Sequence, residues 1–162
     1  MTAQLGHVHS INVSAGGVPK LPVPRVEVSE HGLAGDAQRN LRHHGGPARA
    51  VCLWSYEVIC ELQREGHPVR VGSTGENLTL SGVRWELVVP GARLQIGAHV
   101  LLEITSYATP CRTIWGSFAL LRYGRISQKR HPGQSRVYAR VLQGGQVATG
   151  APVALHALEA AR

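Results

Sequence analysis

Turn signals divide this chain into short pieces. Gly16-Gly17, Pro22, Gly45-Gly46, Ser81-Gly82, Pro90-Gly91 and Gly144-Gly145 interrupt it at intervals that suit strands better than helices. Between these breaks apolar residues recur in short runs. Residues 5–13 carry Leu5, Val8, Ile11 and Val13, and residues 23–28 alternate through Val26 and Val28. Further runs lie at residues 50–53, 83–89, 93–96, 100–105, 137–142 and 153–155. Many short strands at this spacing predict an antiparallel barrel or sandwich.

One segment departs from the pattern. Residues 55–65 place Val58, Ile59 and Leu62 on one face, with Ser55 as a cap, Glu57 in the first turn, and Gly66 and Pro68 as the stop. This predicts a helix. A shorter second helix is expected at residues 116–123 around Phe118, Leu120 and Leu121. Residues 158–162 read as a loose tail.

At 162 residues the chain is expected to form one domain, residues 1–162, with a core large enough to fold without a metal or disulfide. No apolar run approaches the length of a membrane span, and the N-terminus lacks signal-peptide character. Three cysteines, Cys52, Cys60 and Cys111, are too few and too odd for a disulfide framework. A soluble cytoplasmic domain is expected.

The net charge is +7, and all but two of the 17 basic residues are arginines, the exceptions being Lys20 and Lys129. Genome composition accounts for such a bias as well as function does. A functional reading is a partner with planar anionic groups, since guanidinium forks match phosphate and carboxylate.

Four segments carry candidate chemistry. In Gly32-Leu33-Ala34-Gly35-Asp36 and His43-His44-Gly45-Gly46, glycines permit close backbone approach to a ligand, with Asp36 and His44 nearby; a plain glycine-rich loop explains the pattern equally. Gly75-Glu76-Asn77 could orient a polar ligand or simply turn into a strand. Thr109-Pro110-Cys111-Arg112 presents a thiol on a stiffened segment, and Arg112 next door would favour its thiolate. Cys52, in an apolar strand, and Cys60, in the helix, read instead as small buried hydrophobes. Finally, Arg122, Tyr123, Arg125, Lys129, Arg130, His131, Arg136, Tyr138 and Arg140 form a basic, tyrosine-interleaved stretch. It could bind single-stranded nucleic acid or one cofactor phosphate. The scattered tryptophans, Trp54, Trp85 and Trp115, argue against nucleic acid. No Cys-x-x-Cys or His-x-x-x-His pair supports structural zinc, and no phosphate-binding or dinucleotide fingerprint is present.

Taken in order, the segments resemble the MOSC family, named after the C-terminal domain of molybdenum cofactor sulfurase. The parts are Ser14-Ala15-Gly16-Gly17-Val18-Pro19-Lys20, Gly32 to Asp36, His44-Gly45-Gly46-Pro47 with Ala50-Val51, Gly75-Glu76-Asn77-Leu78, Leu94-Gln95-Ile96-Gly97, Thr109-Pro110-Cys111 and Tyr138-Ala139-Arg140-Val141. Pro90-Gly91-Ala92 and Thr149-Gly150-Ala151-Pro152 depart from the family, whose members often carry acidic residues there.

The resemblance implies a mainly β, closed or partly open barrel with one or two short helices, binding the molybdenum cofactor (molybdopterin). Cys111 would be the molybdenum ligand. Gly35, Gly45, Gly46, Glu76, Asn77, Arg112 and Arg136 would surround the cofactor, with Asp36 or His44 as the acid. The activity implied is reduction of small N-hydroxylated compounds, hydroxylaminopurine or amidoxime in type. Electrons would come from a redox protein, because the 162 residues hold no flavin or iron–sulfur motif. The alternative is a non-enzymatic carrier of cofactor or sulfur on Cys111. Pyridoxal phosphate, linked to the family through the sulfurases, needs a lysine, and the scarcity of lysine argues against it.

Overall fold

The structure is a computed structural model that describes residues 4–37 and 46–159. Eleven strands and one α-helix are formed among these residues: β1 (Gln4–Val13), β2 (Leu21–Val23), β3 (Arg25–Ser29), β4 (Gly32–Leu33), β5 (Val51–Ser55), α1 (Tyr56–Arg64), β6 (Leu78–Ser81), β7 (Arg93–Ile96), β8 (Val100–Tyr107), β9 (Val137–Gln143), β10 (Gly145–Ala148) and β11 (Pro152–His156). The hydrogen-bonded order β11-β7-β8-β9-β5-β6-β1 returns to β11, so seven strands close into a barrel. β2 extends the open half of β1, and β10, β3 and β4 form a separate three-stranded sheet.

Closure depends on the length of β1. Its first residues pair with β11, Leu5 opposite Ala154 and Gly6 opposite Val153. Farther along it pairs with β6 through Val8 and Ile11, and its last residues pair with β2. Side chains alternate in and out along the strands. Val8, Ile11, Leu78, Leu80, Leu94, Ile96, Leu102, Ile104, Val153 and Leu155 are buried and fill the core.

The expected antiparallel arrangement has one exception. β5 and β6 run parallel, with Leu53 opposite Leu78. Parallel neighbours need a crossover, and α1 is part of it. The helix starts where expected: the Ser55 side chain accepts the Val58 N–H, and Val58, Ile59 and Leu62 are buried. Cys60 differs from expectation, being half-buried rather than buried.

Two other expectations need correction. Residues 83–89 are not a strand but hold a 3-10 turn, Trp85–Leu87, because the buried Trp85 indole turns inward to donate to the Ser135 carbonyl at 2.7 Å. The second helix is not α-helical: Arg112–Ser117, Ala119–Leu121 and Tyr123–Ile126 are three successive 3-10 turns. Leu120 and Leu121 have φ of 53° and 58°, a left-handed backbone that an α-helix does not admit. β2, β4, β6 and β10, all of two to four residues, are the strands that the apolar pattern missed. Among the described residues no helix is long and apolar enough to cross a membrane.

Candidate functional site

A buried polar network is the first part of the site. Lys20 and Asp36 form a buried ion pair at 2.6 Å. The same Asp36 oxygen accepts the Ser14 N–H at 3.0 Å, and the other accepts Asn77 Nδ2 at 2.9 Å. Asn77 also accepts the Cys52 N–H at 3.0 Å and donates to the Asn12 carbonyl. Asn12 in turn donates to Thr79 Oγ1 and to the Glu76 carbonyl. The Glu76 carboxyl, fully buried, accepts from the Gly72 N–H and from Thr74 and Thr79. Burial pushes its pKa up, and those three donors pull against the shift.

Gly72 makes this arrangement possible. Its φ is +80°, and a Cβ there would overlap the Lys20 carbonyl oxygen. That close approach lets the Lys20 N–H donate to the Gly72 carbonyl at 2.9 Å. It joins the loop that supplies Lys20 to the loop that supplies Glu76.

Arg136 connects this network to the cysteines. Its Nη1 donates to the Thr74 carbonyl at 2.7 Å. Its Nε is buried and has no hydrogen-bond partner among the described residues. An unpaired donor on a buried charged group is costly, so an acceptor completing it would be bound favourably. Cys52, Ala108 and Tyr138 form a small buried cluster apart from the main core. Burial raises the Cys52 thiol to about 11, and the nearby Arg136 guanidinium partly opposes this. Burial also raises the Tyr138 phenol to about 12; Cys52 and Cys111 add to the rise, and Arg136 and Arg49 oppose it. Tyr138 thus packs with Cys52, and the Arg49 guanidinium lies 5.5 Å from its ring centre.

Cys111 is half-buried and has extended backbone immediately before the 3-10 turn Arg112–Ser117. Thr109 and Pro110, the two residues before it, form part of the wall of a cleft of about 720 Å³. The opposite wall is the basic stretch: Arg122, Arg125, Arg130 and His131, with Tyr123 and Ser127. Arg125 is engaged in a two-pronged pair with Glu65, at 2.9 and 2.7 Å, and donates to Gln134 as well. Arg122 and Arg130 have no ion-pair partner among the described residues. Among the described residues, no acidic side chain lines the cleft.

The sequence-predicted residues thus fall into groups. Asp36, Glu76, Asn77 and Arg136 lie in one continuous network around Lys20 and Thr74. Glu76 and Asn77 direct their side chains to protein partners within it. Cys111 stands at the start of the turn that carries Arg112, whose guanidinium is 5.4 Å from the Trp115 ring centre. Gly35 and Gly46 are exposed turn residues with φ of +82° and +80°. His44 and Gly45 lie outside the described residues. Among the described residues, no group of three His, Cys, Asp or Glu side chains could hold a metal ion. Sequence reasoning did not single out Lys20, Ser14 or Asn12 as parts of the network; the lysine's place in a run dense in Gly and Pro was the available signal.

The family comparison assigns residues 40–154 to the MOSC domain. The chain belongs to the MOSC domain family. It is 28% identical over 141 residues to the uncharacterized protein YflK of Bacillus subtilis, covering 86% of this chain and 62% of that protein. A Gibberella moniliformis protein named reductase is 28% identical over 131 residues, 78% of this chain and 23% of that protein. Among solved structures, YiiM from Geobacillus stearothermophilus superposes with a TM-score of 0.69 at 28% identity, covering 95% of this chain and 75% of that one. The chain spans about three fifths of the length of YflK. The MOSC match begins in the segment before β5 and ends in β11, so it includes Cys111, Arg136 and the basic wall of the cleft.

Proposed function

We propose that this MOSC domain binds the molybdenum cofactor through Cys111 and reduces small N-hydroxylated compounds. The observation that carries the reading is that Cys111 directly follows Thr109 and Pro110, which line a cleft shared with Arg122, Arg125 and Arg130, together with a buried Arg136 Nε that has no partner among the described residues. The residues fit such a group. A thiolate is a soft ligand suited to a metal already held by sulfur, and the unpartnered Arg136 Nε suits an anionic oxygen. When bound, the cofactor supplies the two-electron chemistry that removes oxygen from nitrogen.

The chain's own residues do the rest. Cys111 would hold the metal. Arg136 would offer its buried Nε to an anionic oxygen of the cofactor. Arg112, stacked toward Trp115, flanks the thiol. Asp36 has donors on both oxygens, so it acts as a positioning residue that holds Lys20 and Asn77, and proton donation falls to His44. Glu76 and Asn77 keep the floor in place. The relative named reductase supports the reaction class.

The test is elemental and pterin analysis of anaerobically purified protein, alongside reduction of a hydroxylaminopurine by dithionite-reduced methyl viologen. Molybdenum and pterin near one per chain, lost in Cys111→Ser together with turnover, is the expected result. Cofactor that is bound, passed on to an apo-enzyme and never turned over would replace the enzyme with a carrier. Full cofactor content in Cys111→Ser would remove Cys111 as the ligand.

A further inference from the structure

The three 3-10 turns of residues 112–126 present an apolar ridge that the chain leaves uncovered. Trp115 is 43% exposed, Leu120 79% and Leu121 52%. Leu120 and Leu121 are also the two non-glycine residues with positive φ among those described. Branched side chains disfavour that backbone, and such strain persists only where surrounding contacts enforce it. The contacts are present. Phe118 is buried as an anchor. The Leu121 N–H donates to the Phe118 carbonyl at 3.0 Å, and the Ala119 N–H donates to His67 Nδ1 at 3.0 Å. The fold therefore holds two leucines outward in a conformation they do not favour, and gains no burial of either side chain in return.

The position of the ridge is informative. Leu121 belongs to the cleft wall, so the ridge begins where the cleft ends. Arg112, Arg122, Lys129 and Arg130, all exposed, lie in the same segment. Among the described residues none of the four has an ion-pair partner, and the whole chain carries +7. An apolar centre with a cationic rim is complementary to an acidic protein surface with an apolar centre.

We propose that this ridge is the docking surface for an acidic electron-carrier protein. The inference rests on the reductase reading. Converting R–NHOH to R–NH2 and water consumes two electrons and two protons, and the 162 residues carry no flavin or iron–sulfur motif to supply the electrons. The carrier delivers the electrons at the cleft edge and leaves, as small and transient redox interfaces allow.

An acidic flavodoxin, fluorescently labelled, is the probe, and its binding to the cofactor-loaded protein is read by anisotropy. The informative variant is Leu120→Asn, because Asn tolerates positive φ and the fold is kept. The expected result is at least a fivefold rise in Kd for Leu120→Asn, a Kd that weakens with salt, and unchanged turnover with reduced methyl viologen. Equal Kd values for variant and wild type overturn the proposal, as does failure of the wild type to bind flavodoxin. A concentration-dependent dimer that Leu120→Asn dissolves also overturns it, in favour of a second copy of this chain. Flavodoxin binding without viologen-driven turnover in the wild type overturns the reductase reading instead, and with it the partner's role as electron donor.

Discussion

Two buried carboxylates near one asparagine behave differently, and the difference is set by their donors. Asp36 has a lysine ammonium, a backbone N–H and an amide. Glu76 has a backbone N–H and two hydroxyls but no cation in contact, so burial prevails and its pKa rises above 4.5. The native protein then holds a proton on Glu76 more tightly than the unfolded chain does. The native state binds more protons in the window above pH 4.5, so this group's contribution to stability falls as pH rises through it. Glutamine does not titrate and retains one acceptor for Gly72 and Thr79, while the Thr74 hydroxyl can turn to accept from its amide. We expect the urea midpoint of Glu76→Gln to gain on the wild type as pH rises above 4.5; a difference that stays constant with pH would show that Glu76 does not titrate with a raised pKa. At this scale the different settings of Cys111, half-buried, and Cys52, buried, were legible, because one follows a proline at a polar junction and the other sits in an apolar run. The roles of Glu76 and Asn77 were not. A carboxylate and an amide after a glycine look the same whether they face a ligand or a loop arriving from residues 12–36.

The elements around the cleft are pinned by two tryptophans. Trp54 donates its indole N–H to the Gln134 carbonyl at 2.9 Å, and Trp85 donates to the Ser135 carbonyl at 2.7 Å. Both acceptors sit at the root of the basic wall, just before Arg136. Trp85→Phe leaves the buried Ser135 carbonyl without its indole partner, which costs about 1–3 kcal/mol. The expected signature is faster amide hydrogen exchange at residues 133–136, with β9 (Val137–Gln143) little changed. Exchange raised uniformly over the barrel would mean that Trp85 supports only the core. α1 was readable because cap, apolar face and stop agree with one another. The 3-10 turns were not, since their apolar spacing imitates a helix and φ is invisible in residue type once leucine occupies a position that usually goes to glycine.

The barrel as a whole depends on one strand that bridges two partners. At Gly6, where β1 passes from β11 toward β6, a Cβ would overlap the Ser81 carbonyl oxygen and crowd Val83. Gly6→Ala is therefore expected to lower stability by about 1–3 kcal/mol, as overpacking does, with the loss visible in thermal unfolding. A neutral result would show that β1 and β6 can slide apart at this point. The mainly β class was legible from turn spacing. Closure and the parallel β5–β6 pair were not, because register between distant strands leaves no mark on local pattern.

That closure also orders events in time. The β1–β11 seam joins residues 4–7 to residues 152–155. On a ribosome, a nascent chain that has already made Lys20, Asp36 and Cys52 still waits for Cys111, Arg136 and finally β11 before the ring can shut. Pairings this distant in sequence form slowly. Until β11 is made, the edges of β1 and β7 stay open, and a stalled chain lacking β11 exposes them to aggregation.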